Sequence, residues 1–185
     1  MKVAVYSGSF NPLHVGHMAI MEYLTRTAGF DCVYLVVSPQ NPFKDASNVL
    51  TGAERYAAAV EAVKRHPGLR VRVDDIELGM DPPHYTIRTL DALRRREKDN
   101  SFTLVVGADN LPRFSGWRDY RRILLEYGVV VFPREGFHPV HDRNVLKAEN
   151  PLYRIKILKA PMVNVSSTEI REGLARGEDM SGVLM

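Results

Sequence analysis

The sequence predicts an α/β fold in one domain, a doubly wound parallel sheet flanked by helices, and three observations carry that expectation. Short runs rich in β-branched residues alternate with longer stretches of helical periodicity, which is the pattern of βα units. Most of the short runs are apolar throughout, as strands covered on both faces must be. A length of 185 residues suits one domain with a sizeable core, and 45% apolar with 25% charged residues is an ordinary globular balance. Strands are expected at 3–6, 33–37, 71–73, 103–106, 129–132 and 155–158, and helices at 17–27, 52–66, 86–96, 119–127 and 167–176. The stretches 38–50 and 133–151 read as loops, and no repeat or linker divides the chain.

Composition narrows the function classes. No apolar run approaches the roughly 20 residues that cross a bilayer, and residues 1–6 lack the features of a secretory signal, so a cytoplasmic protein without a membrane partner is expected. Cys32 is the single cysteine and can close no internal disulfide. A net charge of +3 falls short of a dedicated nucleic-acid binder and suits small anionic ligands better. The densest basic run, Arg94-Arg95-Arg96 before Glu97, lies on a helical pattern and reads as a solvated face. A homo-oligomer stays open.

In a Rossmann-like sheet the ligand lies beyond the carboxyl ends of the strands, where the strand order reverses. After the first expected strand comes Ser7-Gly8-Ser9-Phe10-Asn11-Pro12-Leu13-His14-Val15-Gly16-His17, a long turn into a helix whose free amides would face a bound anion. Gly8 and Gly16 allow close backbone approach. The spacing is neither that of a dinucleotide-binding turn nor that of a P-loop. His14 and His17, three apart, could hold a metal or a phosphate. A zinc site wants further ligands that are not spaced nearby, so phosphate donation fits better and no dedicated protein metal site is expected.

The run from Gly8 to His17 resembles the G-x-F-x-P-x-H-x-G-H signature of the nucleotidyltransferase superfamily. Near the other end, Val165-Ser166-Ser167-Thr168-Glu169-Ile170-Arg171 is similar to that superfamily's I-S-S-T-x-I-R signature. On its own residues the second segment is a capping box, Ser166 with Glu169, whose first turn offers the Ser167 and Thr168 hydroxyls, free amides and the Arg171 guanidinium to a polyphosphate. Between them, Gly107-Ala108-Asp109-Asn110 follows the fourth strand. Asp109 there could cap a helix, coordinate magnesium or hold a ribose hydroxyl; the resemblance implies the ribose, with Gly107 admitting the nucleotide and Arg134 near the adenosine.

Segments outside this shared core bear on the second substrate. Trp117 sits in the polar stretch Phe114-Ser115-Gly116-Trp117-Arg118, which suits a stacking platform. Thr86, in Tyr85-Thr86-Ile87-Arg88-Thr89-Leu90, could cap a helix, but the segment resembles the Y-T-x-x-T-L of nicotinate mononucleotide adenylyltransferases, which puts a threonine at the pyridine and a tryptophan on its ring. Ser38-Pro39-Gln40-Asn41-Pro42-Phe43-Lys44 is similar to their second-strand loop, with Lys44 reaching phosphate; many members have P-P-H-K where this chain has Asn41-Pro42-Phe43-Lys44. Relatives usually run on past the position of Met185, so a shortened C-terminus is expected.

The resemblance therefore implies transfer of AMP from ATP to nicotinate mononucleotide, with magnesium carried by ATP. It assigns His17 to the α-phosphate, His14 to neighbouring oxygens, and Ser167, Thr168 and Arg171 to the departing pyrophosphate. His14, His17, Lys44 and Arg171 form the catalytic set; Gly8, Ser9, Phe10, Gly107, Asp109 and Arg134 complete the ATP site; Ser9, Phe10, Lys44, Thr86 and Trp117 make the mononucleotide site. A phosphopantetheine adenylyltransferase or a nucleotide sensor without catalysis are the alternatives.

Overall fold

A computed structural model describes residues 1–39, 50–162 and 164–185. Its strands are β1 (Lys2–Gly8), β2 (Cys32–Val37), β3 (Val71–Asp74), β4 (Ser101–Gly107), β5 (Val129–Phe132) and β6 (Ile155–Ile157). All pair in parallel, in the order β3-β2-β1-β4-β5-β6, so the order reverses between β1 and β4 as doubly wound sheets require. The helices are α1 (Val15–Arg26), α2 (Gly52–Lys64), α3 (Thr86–Arg96), α4 (Tyr120–Arg122), α5 (Pro139–Glu149) and α6 (Ser167–Ala175). Among the described residues no helix is long and apolar enough to cross a membrane.

Period-two alternation in buried strands splits the core into two layers. Val3 and Val5 of β1 join Tyr34, Val36, Leu104 and the α3 residues Ile87, Leu90 and Leu93 on one face. Ala4 and Tyr6 join Val33, Leu35, Met21 and Leu24 of α1, and Ala59 and Ala62 of α2 on the other. The helical positions recur at three- and four-residue spacing, so each helix turns one stripe to the sheet.

Three expectations need correction. The stretch 133–151 is not all loop, because α5 occupies Pro139–Glu149. Its proline starts the helix, where a missing amide costs nothing, and Leu146 alone is buried while Val140 and Val145 are exposed, so there was no apolar stripe to read. The helix expected at 119–127 is one short α-turn followed by a π-helical turn, Ile123–Tyr127, with Asp119 outside it in the left-handed region at φ 53°. The arginine run is not simply a solvated face: Arg96 makes a two-point ion pair, at 2.5 and 3.1 Å, with the buried carboxylate of Asp74 at the end of β3. The other helices and all six strands agree with the sequence to within a few residues at their ends, the scatter expected of helix and strand termini.

Leu35 lies in β2 opposite Tyr6 of β1 and Val73 of β3 and is fully buried. Leu35→Ala is expected to cost about 2–5 kcal/mol of unfolding free energy without changing the denaturant slope. Urea denaturation checks this, and a loss under about 1 kcal/mol would contradict the packing described.

Candidate active site

The turn after β1 is shaped by two constraints. A side chain at Gly8 would stand 3.1 Å from the Phe10 ring, so glycine lets Phe10 fold back across the strand end. Phe10 itself takes a left-handed φ of 47°, a strain held by its buried edge-on contacts with Tyr6 and His17, at 5.3 and 5.1 Å between ring centres.

His14 then forms the N-cap of α1, whose first residue, Val15, comes two residues before the start expected from periodicity. The first amides of a helix have no partner within it, and here two imidazoles supply acceptors. The Gly16 amide donates to His14 Nδ1 at 3.1 Å, and the His14 amide donates to His17 Nδ1 at 3.2 Å. Each ring's Nδ1 is thereby an acceptor, so the proton of each neutral ring sits on Nε2. The rings stack with centres 3.7 Å apart. Burial pushes His14 down to about 4, helped by the Arg134 charge and opposed by Glu169. Burial, then the neighbouring His14 and Arg134, push His17 down to about 3. Both are neutral hydrogen-bond donors at physiological pH.

Helix α6 docks on this turn. Ser166 caps it, accepting from the Glu169 amide at 3.1 Å, while the Glu169 carboxylate accepts from the Ser166 amide at 2.9 Å. The Ser167 hydroxyl donates to the Pro12 carbonyl at 2.9 Å, and Arg171 donates to the Asn11 carbonyl at 2.6 Å and to the Thr168 hydroxyl at 3.3 Å. The two signatures, about 150 residues apart in the chain, are thus bonded to each other. Beside them the C-terminal residues run antiparallel to the turn: the Val15 amide donates to the Val183 carbonyl at 2.9 Å, and His14 and Leu184 form a bridge.

Across the order reversal, β4 ends in Gly107 and leads into a 3-10 helix, Ala108–Gly116, that carries Asp109. A side chain on Gly107 would come within 2.4 Å of the Asp109 carboxylate, which would have to move aside, and 3.1 Å of the Phe132 ring, so glycine leaves both in place. Arg134 approaches Asp109 at 3.7 Å with both side chains nearly half exposed, a weak pair that a ligand can rearrange.

Two adjoining cavities open at this end. One, of about 530 Å³, is lined by His14, Gly16, Glu135 and Ser166; the other, of about 310 Å³, by Gly8, Ser9, Phe10, Thr86, Trp117 and Ser167. Tyr6, His17, Asp109, Phe132 and Arg134 belong to both walls. Thr86 is the first residue of α3 and its hydroxyl caps no amide, which removes the capping explanation for it. Trp117 is half-buried rather than freely exposed, with one face stacked on the fully buried Phe114 at 4.7 Å. Thr168 and Arg171 stand behind the turn, outside both walls, and Lys44 lies outside the described residues. A larger hollow of about 980 Å³ at the amino ends of the strands contains none of the expected site residues.

Some residues at the site escaped sequence reasoning. Tyr6 and Phe132 read as core because they continue apolar strands, yet they sit at carboxyl ends, where the rule for parallel sheets points. Burial holds the Tyr6 phenol well above its usual range, so it stays a neutral wall. Behind them Glu77 is buried, accepting from Thr89 at 2.8 Å and Ser7 at 3.4 Å, and Ser7 shares a 2.9 Å bond with Ser38. No periodic signal marks that network.

Fold and site together define a protein built to hold nucleoside phosphates at the reversal of a parallel sheet. Residues 5–173 match the cytidylyltransferase-like family, and the chain belongs to it. A protein of Bacteroides fragilis described as "Probable nicotinate-nucleotide adenylyltransferase" is 37% identical over 97% of this chain and 85% of its own. Another so described, from Flavobacterium johnsoniae, is 33% identical over 100% and 92%. Among solved structures, the nicotinic acid mononucleotide adenylyltransferase of Plasmodium falciparum complexed with NaAD superposes with a TM-score of 0.75 over 98% of this chain and 87% of its own; at 17% identity that likeness concerns the fold.

The lowered histidine pKa has a thermodynamic consequence. Unfolding frees His17 to its ordinary value of 6.5, so between about 6.5 and 3 the unfolded chain binds a proton that the folded chain refuses, and stability falls with falling pH. His17→Gln removes that proton uptake. The stability of the wild type relative to His17→Gln is expected to decline as pH drops from about 6.5 toward 4, followed by thermal denaturation of both. A difference independent of pH would show His17 to be charged or unperturbed in the folded state.

Proposed function

We propose that this chain transfers AMP from ATP to nicotinate mononucleotide, giving nicotinate adenine dinucleotide and pyrophosphate in NAD synthesis. The observation that carries the chemistry is His17, which lies on the wall shared by both cavities with its Nδ1 taken by a backbone amide and its Nε2–H left to donate. The adenosine of ATP is assigned to the 530 Å³ cavity, beside His14, His17, Asp109 and Arg134, with the polyphosphate reaching Gly8, Ser9, Phe10, Gly107 and Ser167 where the two cavities adjoin, and the mononucleotide to the 310 Å³ cavity, with its pyridine on Trp117 beside Thr86. The relatives' descriptions favour the nicotinate acceptor over phosphopantetheine.

In this reaction a phosphate oxygen of the mononucleotide attacks the α-phosphorus, a new P–O bond forms, and the bond to the β-phosphate oxygen breaks. The nucleophile is already an anion and the leaving group departs as one, so no general base is needed. Catalysis rests on alignment and on donors aimed at the charge that builds on the α-phosphate. Neutral His17 and His14 supply such donors without protonating the nucleophile. Arg171 and Thr168, behind the turn, are assigned to the pyrophosphate side with Ser167, and Lys44 to an acceptor phosphate.

Nucleotidyltransferases of this kind use a divalent metal in general, and we take it to be magnesium. Among the described residues no three His, Cys, Asp or Glu side chains converge, so the donors that fit are the polyphosphate oxygens, with Asp109 the carboxylate on both walls. When bound, the ion neutralises phosphate charge. The proposed setting is the cytoplasm.

Incubation with ATP and magnesium plus nicotinate mononucleotide, nicotinamide mononucleotide or phosphopantetheine, reading pyrophosphate and product, tests the reaction. Preference for the nicotinate compound is expected; turnover with phosphopantetheine alone would overturn the acceptor, and no turnover would favour a nucleotide sensor. His17→Ala should lower kcat about a hundredfold to a thousandfold with smaller effects on either KM. A mutant of normal kcat refutes its role. Trp117→Ala should raise KM for the mononucleotide about tenfold, within the ~1–3 kcal/mol typical of base stacking, and leave KM for ATP nearly unchanged. An unchanged mononucleotide KM removes Trp117 from the site.

A further inference from the structure

Arg55 stands out among buried side chains that the reaction does not use. It lies in the first turn of α2, is 1% exposed, and is the largest fully buried side chain among the described residues. Burial of a guanidinium is costly, and a position that needed only volume would be filled better by leucine or methionine. What Arg55 does in the interior is hold three carbonyl groups. Its Nη1 donates to Ser9 at 2.8 Å and to Ser38 at 2.7 Å, and its Nε donates to Leu50 at 3.2 Å. Three residues earlier, a side chain at Gly52 would meet Leu78 at 2.7 Å and stand in ordinary contact with Arg55 Nη2 at 3.7 Å.

The three carbonyls come from three places that must agree for the smaller cavity to keep its shape. Ser9 belongs to the turn after β1 and, with Phe10, lines that cavity. Ser38 directly follows β2, and its hydroxyl bonds Ser7. Leu50 precedes the Thr51 cap of α2. Ser9 and Phe10 bond to no other side chain among the described residues, so the Ser9 carbonyl is tied down chiefly by Arg55. A planar guanidinium spans several acceptors at fixed angles, which neither an ammonium nor a thioether can do.

We propose that Arg55 is a positioning residue for the mononucleotide site, clamping the Ser9–Phe10 turn to the end of β2 and the head of α2; this rests on the assignment of the smaller cavity to the mononucleotide. Neither Ser9 nor Phe10 lines the larger cavity assigned to the adenosine of ATP, so loss of the clamp is expected to act first on the mononucleotide.

The test is steady-state kinetics of Arg55→Lys and Arg55→Met with each substrate varied in turn, alongside thermal denaturation. Both variants should raise KM for nicotinate mononucleotide about tenfold or more while KM for ATP stays within about twofold, and lysine, which keeps part of the bonding, should be the milder. Equal rises in both constants, or no rise in the mononucleotide constant, would overturn the proposal. So would unfolding of both variants in saturating ATP, which would mark Arg55 as merely structural. If methionine alone fails to fold, lysine decides. Wild-type turnover in the same assay keeps the questions apart: its absence refutes the reaction, and calorimetric binding of nicotinate mononucleotide then judges Arg55, with equal affinities, or no wild-type binding, counting against it.

Discussion

Two hydrogen bonds at the head of α1 govern the chemistry of this site. A helix start leaves amides unpaired, and proteins normally satisfy them with hydroxyls or carboxylates. Here the acceptors are the Nδ1 atoms of His14 and His17, and that choice does two things at once. It pins the rings against each other and settles where each ring proton sits, while burial, with the Arg134 charge beside it, keeps both rings uncharged. A pair of imidazolium ions stacked at 3.7 Å beside a guanidinium would repel strongly, and exposing the pair to water would weaken its donors. Burial with backbone caps removes both difficulties.

The remainder of the site is arranged so that this pair holds its place. The order reversal between β1 and β4 opens a cleft where two strand ends part, and Gly8 and Gly107 at those ends leave Phe10, Phe132 and Asp109 close against the backbone. From behind, α6 bonds the Asn11 and Pro12 carbonyls, and the C-terminal residues pair with the backbone on either side of His14. From below, Arg55 ties the Ser9 carbonyl. The turn that carries the histidines has little regular structure of its own, and so its shape comes from these outside contacts. Preorganisation of this sort is what a reaction without a general base depends on, since orientation and charge stabilisation are all that the protein has to supply.

The parts legible in the sequence were those that repeat or that carry a signature. Six strands announced themselves through Val- and Ile-rich runs, because a strand buried on both faces admits little else, and the topology followed from their alternation with helices. Gly8 to His17 and Ser166 to Arg171 both lie at the carboxyl ends of the strands, where the rule for parallel sheets directs attention. What stayed hidden was set by tertiary contact. Helix α5 buries only Leu146 and so shows no stripe. The 3-10 segment after β4 is interrupted by Pro112 and buries Ala108, Leu111 and Phe114 at a spacing of three. Arg96 looked like one of three equivalent charges until Asp74 was seen buried beneath it. Arg55 occupies a place in a polar-looking helix, Gly-Ala-Glu-Arg-Tyr, where nothing in the spacing distinguishes a core arginine from a solvated one.

The most direct measurement of the central interaction is nitrogen-15 NMR of the imidazole rings of His14 and His17 as a function of pH. Both rings should show an unprotonated Nδ1 and a protonated Nε2 at pH 7, and His14 should take up its second proton only near pH 4, with His17 lower still. A protonated Nδ1 on either ring would mean that the backbone amides do not hold the pair, and titration near the ordinary 6.5 would mean that the rings are not buried as described and that their donors are not the neutral ones.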